Sequence, residues 1–431
     1  MRSIAVIGAG ITGITTAYAL SERGYDVTVI DRQRYAAMET SFANGGQLSA
    51  SNAEVWNSWS TVLKGIKWMF KADAPLLMNP KPSWHKYSWM AEFLANIPNY
   101  KANTIETTRL AIKARDYMFE MANREGIDFK LEKRGILHIY RDKLGYDAAA
   151  RASELYAQGG LARRAVSPSE IRAIEPTLHG NYYGGFFTES DSTGDIHLFT
   201  RGLADACRRH GVTFVNEASV DSVKHSVSAG KPRVDIALTL AASSDEAQPV
   251  HETMSFDGVV VCAGVGSRVL AAQFGDRVNI YPVKGYSITV MLDDEASQNA
   301  APWVSLLDDQ TKIVTSRLGK DRFRVAGTAE FNGENRDIRA DRIAPLVNWT
   351  RKLFPGVSTA RAVPWAGLRP MMPNLMPRVG AGKLPGVFYN TGHGHLGWTL
   401  SAATAQMIAE KIAADMPVEK PSAQIFRLAA E

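Results

Sequence analysis

The sequence is poor in cysteine, with two in 431 residues, and it has no low-complexity tract, no repeat of fixed period and no run of some eighteen apolar residues. Each absence closes off a class of protein. Cys207 lies in a helix-like run and Cys262 in an apolar strand-like run, so neither makes a CxxC pair or a zinc spacing. Both are expected in the core, no metal is expected, and a reducing compartment is implied. Without a long apolar run there is no candidate for a membrane-spanning helix. The apolar start is soon broken by glycines and lacks a small-residue cleavage site, so it reads as a strand rather than a signal peptide. The expected location is the cytoplasm, with a peripheral seat on the inner face of the membrane as the open alternative. Clustered basic residues are also lacking: the net charge is +5, but lysine and arginine are scattered, which argues against a nucleic-acid partner. With 45% hydrophobic and 22% charged residues, the chain is of globular composition and long enough for two domains, or for one domain inserted into another.

What is present begins with "SIAVIGAGITGITTAYALSERGYDVTVID". A short β-branched run leads through Gly8, Gly10 and Gly13 into a helical pattern carried by Ile14, Ala17 and Leu20, and Gly24 ends it before a second strand. Glycines at these positions let the chain turn sharply, approach a pyrophosphate and pack helix against strand, while the helix N-terminus meets the phosphate charge. Asp31 closes the second strand 18 residues after Gly13, where a carboxylate accepts hydrogen bonds from a ribose. A dinucleotide is therefore expected, and this stretch alone does not separate NAD from FAD.

A second strand-to-helix turn, "GVFYNTGHGHLGWTLSAATAQMIAEKI", lies almost four hundred residues later, with Gly392, Gly394 and Gly397 in the loop and Leu400, Ala403, Met407, Ile408 and Ile412 on the helix. It lacks the first turn's spacing and a following acidic strand, so it is not a second nucleotide unit. A helix N-terminus behind close-approach glycines suits the negative charge that gathers on a reduced flavin. The two turns are expected to hold one FAD at its two ends.

"ETSFANGGQLS" (39–49), "FDGVVVCAGVGS" (256–267), "PVKGYSIT" (282–289), "WAGLRPMMPN" (365–374) and "TGHGHLGWTLS" (391–401) together resemble the D-amino acid oxidase and dehydrogenase superfamily, and most of all the bacterial D-amino acid dehydrogenase family, small-subunit type. The likeness runs from residue 4 to about 412. It implies an α/β, two-domain chain with non-covalent FAD, a discontinuous Rossmann-like FAD-binding domain (1–52, 165–270 and 366–431), and a substrate domain on a mainly antiparallel sheet (53–164 and 271–365). Strands at 218–226 and 232–242, joined by a polar hairpin, are expected with the former. Those in "VNIYPVKGYSITVML", "TKIVTSRL" and "RFRVAGTAEF", with a helix near 342–354, belong with the latter.

The resemblance also implies the site. Arg369 matches the arginine that grips the substrate carboxylate, and its planar fork suits a bidentate bond. Tyr286 lends a hydroxyl, lines the pocket or packs in the core, and His393 and His395 tune the flavin, touch substrate or satisfy backbone groups; His395 departs from an expected threonine and Asn374 from an expected aspartate. The cofactor-binding set is Gly8, Gly10, Ile11, Thr12, Gly13, Asp31, Arg32, Ser41, Asn44, Gly45, Gly46, Gln47, Val220, Ala263, Gly264, Gly392, Gly394, His395, Leu396, Gly397, Trp398 and Thr399.

The implied reaction is oxidative deamination of a D-amino acid to a 2-oxo acid and ammonia, with hydride leaving Cα for flavin N5 and electrons passing to a quinone or another member of an electron-transfer chain. Cyclic or secondary amino acids (D-proline, hydroxy-D-proline, glycine, sarcosine), an oxygen-using oxidase, and a non-catalytic FAD-binding subunit are the alternatives. Trp56, Trp59, Leu63, Ile66 and Phe70 recur at helical spacing beside Lys64, Lys67 and Lys71. The expectation is an apolar face packed on the substrate domain, and the rival reading is a face laid on a membrane.

Overall fold

Two sheets divide the work. The computed structural model describes residues 2–68, 75–228, 230–241 and 248–418. The first sheet has six strands in the order Arg378–Ala381, Val387–Thr391, Gly258–Val261, Ser3–Ile7, Asp26–Ile30 and Thr213–Val215. All are parallel except the first edge strand. The central strands read as unbroken apolar runs because both faces are covered. Ile4, Val6, Val259, Val260 and Val261 are fully buried. Helices Ile11–Ser21, Ile196–Arg209 and Gly397–Asp415 cover one face, and an antiparallel meander (Ala218–Ser228, Lys231–Leu240, Val250–Phe256) packs on the other.

The second sheet has nine strands. Its path runs Ala362–Met371, Tyr281–Met291, Arg322–Phe331, Ile313–Arg317, Ser305–Asp308, Ile136–Tyr140, Gly184–Thr188 and Arg164–Val166, with Leu76–Met78 paired to Arg322–Phe331 off that path. Most pairings are antiparallel; Ser305–Asp308 with Ile136–Tyr140, and Leu76–Met78 with Arg322–Phe331, are parallel. Helix Ala340–Leu353 covers one face through Leu346, Trp349 and Leu353. The opposite face is the wall of a cavity. Its other wall is built at the carboxyl ends of the parallel strands, where ligands sit in open α/β sheets.

The division of the chain differs from expectation at three places. Gly184–Thr188, expected with the FAD-binding segment 165–270, and Arg164–Val166, which straddles the expected start of that segment, pair through Ile136–Tyr140 into the nine-stranded sheet. Ala362–Met371 pairs along its whole length with Tyr281–Met291, so the chain leaves that sheet after Met371 rather than at residue 366. The 26-residue helix Tyr100–Glu125, expected in the substrate domain, packs Ala114, Met118, Met121 and Ala122 into the core of the six-stranded sheet. Strand pairing and helix docking are long-range choices, and local pattern carries no record of the partner.

The amphipathic stretch also differs. Its helix spans Trp59–Trp68, and Phe70 and Lys71 fall outside the described residues. Trp56 lies before the helix, while Trp59 and Leu63 are 64% and 66% exposed rather than packed on the protein. Ser60, Thr61, Lys64 and Trp68 face the cavity instead, which turns this part of the apolar stripe outward.

Candidate active site

The cavity is about 770 Å³, and at one end the first glycine turn shapes it. Gly8 has φ +110°, a conformation side chains rarely adopt, and a Cβ there would stand 2.6 Å from the Cys262 carbonyl oxygen. A Cβ on Gly13 would overlap the Gly8 carbonyl, so Gly13 serves helix–strand packing; it is the one expected cofactor residue that does not line the cavity. Helix Ile11–Ser21 has no side-chain cap. The Ile11 N–H donates to Ser41 Oγ at 3.0 Å, and Thr12 lines the cavity at the open helix end, where unpaired N–H groups favour an anion.

Asp31 sits at the end of its strand as expected. Its Oδ2 accepts from the Ala9 N–H at 2.6 Å and its Oδ1 from the Gln33 N–H at 2.7 Å. Burial raises its pKa and these two bonds oppose the rise. The carboxylate thus braces the glycine turn while lining the cavity. Arg32 pairs with Glu39 at the rim, and Val220, Ala263 and Gly264 line the cavity nearby.

The far turn closes the other end. Gly392, Gly394, Leu396, Gly397, Trp398 and Thr399 line the cavity, and helix Gly397–Asp415 likewise lacks a side-chain cap. Gly392 and Gly394 have φ +76° and +58°, and a Cβ on either would press on Met372 or Met371. Between the two turns runs the loop Ser41–Gln47. Asn44 Oδ1 accepts from the Gly46 N–H at 2.9 Å, and a Cβ on Gly45 would meet Val314 at 2.8 Å. Gln47 donates to Ser305 Oγ and the Leu306 carbonyl, which leaves its Oε1 without a partner. An elongated cavity with two uncapped helix N-termini, a glycine cradle and an orphaned amide oxygen fits FAD, whose pyrophosphate and ring edge match these groups in that order.

Arg369 stands on the cavity face of strand Ala362–Met371. Trp365, Gly367 and Arg369 share that face by the two-residue alternation of a strand. The Arg369 guanidinium lies flat over Gly285, where a Cβ would collide with it, and the Trp365 indole lies over Gly367 in the same way. Gly285 and Gly367 face each other in register, so a pair of glycines levels the sheet for both groups. Arg369 makes one long bond, to the Thr328 carbonyl at 3.5 Å, and no carboxylate lies within ion-pair distance of it among the described residues. Burial lowers its pKa to about 10, still fully charged at neutral pH. A cation held in a cavity without a countercharge is a site for an anion.

Tyr286 borders the cavity, but of its two readings the side chain takes the core one. The alternation that turns Gly285 to the cavity turns Tyr286 to the other face, among Ile288, Val325 and Leu346 beneath helix Ala340–Leu353. Its hydroxyl donates to Glu330 Oε2 at 2.6 Å, beside Lys284, in a buried cluster. Burial and then its hydrogen bond to the Glu330 carboxylate raise its pKa. Its side chain therefore belongs to the core. His393 also borders the cavity, but its Nε2 bonds Thr404 Oγ1 at 2.9 Å and burial lowers its pKa to about 3, so the neutral ring supports the turn.

His395 does face the cavity. It stacks on Trp56 with centroids 4.5 Å apart and planes 21° apart, and its Nε2 lies 3.4 Å from the Asn52 carbonyl oxygen. Burial and then the Arg369 charge lower its pKa to about 4. Trp56, Trp365 and the two facing glycines went unread as site residues. Glycine inside an otherwise alternating strand was the available signal, since it marks a close approach. A further cavity wall carries His138, Tyr140, Tyr156 and Arg163, and nothing local to their stretches of sequence marks them.

Comparisons with known proteins agree with this geometry. The profile of a family described as FAD dependent oxidoreductase matches residues 3–411. A protein of Mesorhizobium japonicum named D-amino acid dehydrogenase 3 is 64% identical over 419 residues, which cover 97% of this chain and 99% of that one. A D-amino acid dehydrogenase of Paramagnetospirillum magneticum is 40% identical, over 95% and 94% of the two chains. Among solved structures, glycine oxidase from Geobacillus kaustophilus superposes with TM-score 0.71 at 17% identity, over 98% and 96% of the two chains. The L-proline dehydrogenase from P. horikoshii gives 0.70 at 15%, over 96% and 93%. At such identities the two structures share the fold.

Proposed function

The chain belongs to the FAD dependent oxidoreductase family, and from that premise we propose that it is a D-amino acid dehydrogenase, oxidising a D-amino acid to an imine that water hydrolyses to the 2-oxo acid and ammonia. The observation that carries the reading is Arg369, a cation on the wall of the cofactor cavity with no carboxylate in ion-pair distance among the described residues. FAD, when bound, supplies a two-electron acceptor. Gly8, Gly10, Ile11, Thr12 and Ser41 would hold its pyrophosphate, Asp31 a ribose, and Gln47 with the Leu396–Thr399 turn its ring end. The chain's own task is to orient and to exclude water. Arg369 takes the substrate carboxylate in its fork, fixed over Gly285, while Trp365 and Trp56 line the same cavity.

A quinone as electron acceptor extends this reading, and so does a peripheral seat on a membrane. The support for the second is the outward face of helix Trp59–Trp68, where Trp59 and Leu63 stand in solvent beside Lys67. No helix among the described residues is long and apolar enough to cross a membrane.

The test is anaerobic mixing of the yellow holoenzyme with D- and L-amino acids, glycine and sarcosine, followed at the flavin absorbance band. Bleaching by D-amino acids, with slow recovery in air and fast recovery with a quinone, is expected. Bleaching by glycine or sarcosine alone, with fast recovery in air, would replace the proposal with an oxidase.

A further inference from the structure

His395 borders the cavity close enough to Arg369 to feel its charge. It follows the turn at which Met371 and His393 form an antiparallel bridge, so two residues back on one segment and two forward on the other lie Arg369 and His395. Gly394 is pressed against Met371 at that crossing, which holds the two segments together. The imidazole has one hydrogen bond, between Nε2 and the Asn52 carbonyl oxygen. A carbonyl oxygen only accepts, so Nε2 carries the proton and Nδ1 keeps its lone pair. Stacking on Trp56 fixes the ring plane and therefore the direction of that lone pair. Nδ1 has no hydrogen-bond partner among the described residues, and the ring borders the cavity.

We infer that Nδ1 of His395 accepts a hydrogen bond from the α-amino group of the substrate, so that Arg369 and His395 grip the two polar ends of one amino acid. The inference rests on the amino-acid reading proposed above and adds the partner of the amine. A carboxylate bound to Arg369 offers only acceptors, and the backbone of an α-amino acid has one donor left to present to an acceptor nitrogen, its N–H. The neutral state of the ring fits the same role, since an imidazolium would offer a second donor and repel an ammonium. With carboxylate and amine both fixed, the side chain is confined to the space bounded by Trp56 and Trp365, and three fixed points are what discrimination between mirror images requires. Primary and secondary amines satisfy Nδ1; a tertiary amine, once deprotonated, does not.

The test uses two ligands that the enzyme cannot oxidise for want of an amine or an α-hydrogen, isobutyrate and 2-aminoisobutyrate, titrated into the holoenzyme and read as perturbation of the flavin spectrum. His395→Phe keeps a stacking ring and loses the acceptor; His395→Asn places an oxygen near where Nδ1 was. The Phe variant is expected to bind 2-aminoisobutyrate about tenfold more weakly and isobutyrate unchanged, and the Asn variant to recover most of the loss. Equal weakening of both ligands, or an unchanged ratio, would overturn the inference. A wild-type enzyme that no D-amino acid bleaches would instead overturn the amino-acid reading, whereas bleaching with an unchanged ratio would remove His395 alone.

Discussion

Arg369 and Glu330 show how differently two buried charges are handled within one sheet. Arg369 is held by shape, flat over a glycine, with no carboxylate paired to it among the described residues. Glu330 is matched already, by Lys284, Arg339 and the Tyr286 hydroxyl. Tyr286→Phe should therefore lower the urea midpoint by the equivalent of about 1 kcal/mol and leave the KM for substrate unchanged. A large rise in KM would return Tyr286 to the site. His393 sets an acid limit on the fold. Its ordinary value is 6.5 and its folded value about 3, so between those two pH values the unfolded chain binds more protons than the folded one. Stability contributed by the neutral ring is complete above about pH 6.5 and is lost as the pH falls through that window, by up to about 1.4 kcal/mol per unit. Urea midpoints measured from pH 7 to pH 4.5 should fall more steeply in the wild type than in His393→Asn. Equal slopes would show that the ring does not titrate on unfolding.

At the scale of elements, glycines placed in strands do more for the site than those in turns reveal. Gly285 and Gly367 lie opposite each other in neighbouring antiparallel strands and clear a level floor for Arg369 and Trp365. Gly285→Ala inserts a methyl into the guanidinium's place. The expected result is an enzyme that keeps its FAD and its melting temperature within a few degrees but loses about a hundredfold in kcat/KM, because the carboxylate clamp is displaced. A variant with wild-type kinetics would show that the guanidinium acts from another position. Period-two alternation also decides between the readings of Tyr286: with Gly285 under the guanidinium, the side chain at 286 takes the opposite face and the core.

Across the whole molecule, the cofactor cavity is walled by both sheets, so the bound dinucleotide would tie them into one unit. Adding FAD to the apoprotein at about 100 times its Kd should raise the free energy of unfolding by about 2.7 kcal/mol and move the thermal transition upward as a single step. An unshifted transition at saturating FAD would mean that the cavity is not where the cofactor binds. The chain's repeated passages between the two sheets follow from the same layout, since segments distant in sequence must reach both walls.

Some of this was fixed by the sequence itself. Gly8, Gly10 and Gly13 between a strand and a helix, with Asp31 at the next strand's end, determined the dinucleotide turn, because the chain's sterics and the phosphate's charge act within some thirty residues. The second turn at Gly392–Gly397 was legible for the same local reason, whereas the arginine at 369 was legible only through the family resemblance. Tertiary structure alone decided the rest. Pairing brought Gly184–Thr188 to Ile136–Tyr140, and docking carried helix Tyr100–Glu125 to the other core. The turn of the Trp59–Trp68 helix left Trp59 and Leu63 outside, and the crossing at Met371 and His393 set His395 beside Arg369. Those outcomes depend on which distant surfaces exclude water from one another, a property of the assembled fold and of no single stretch within it.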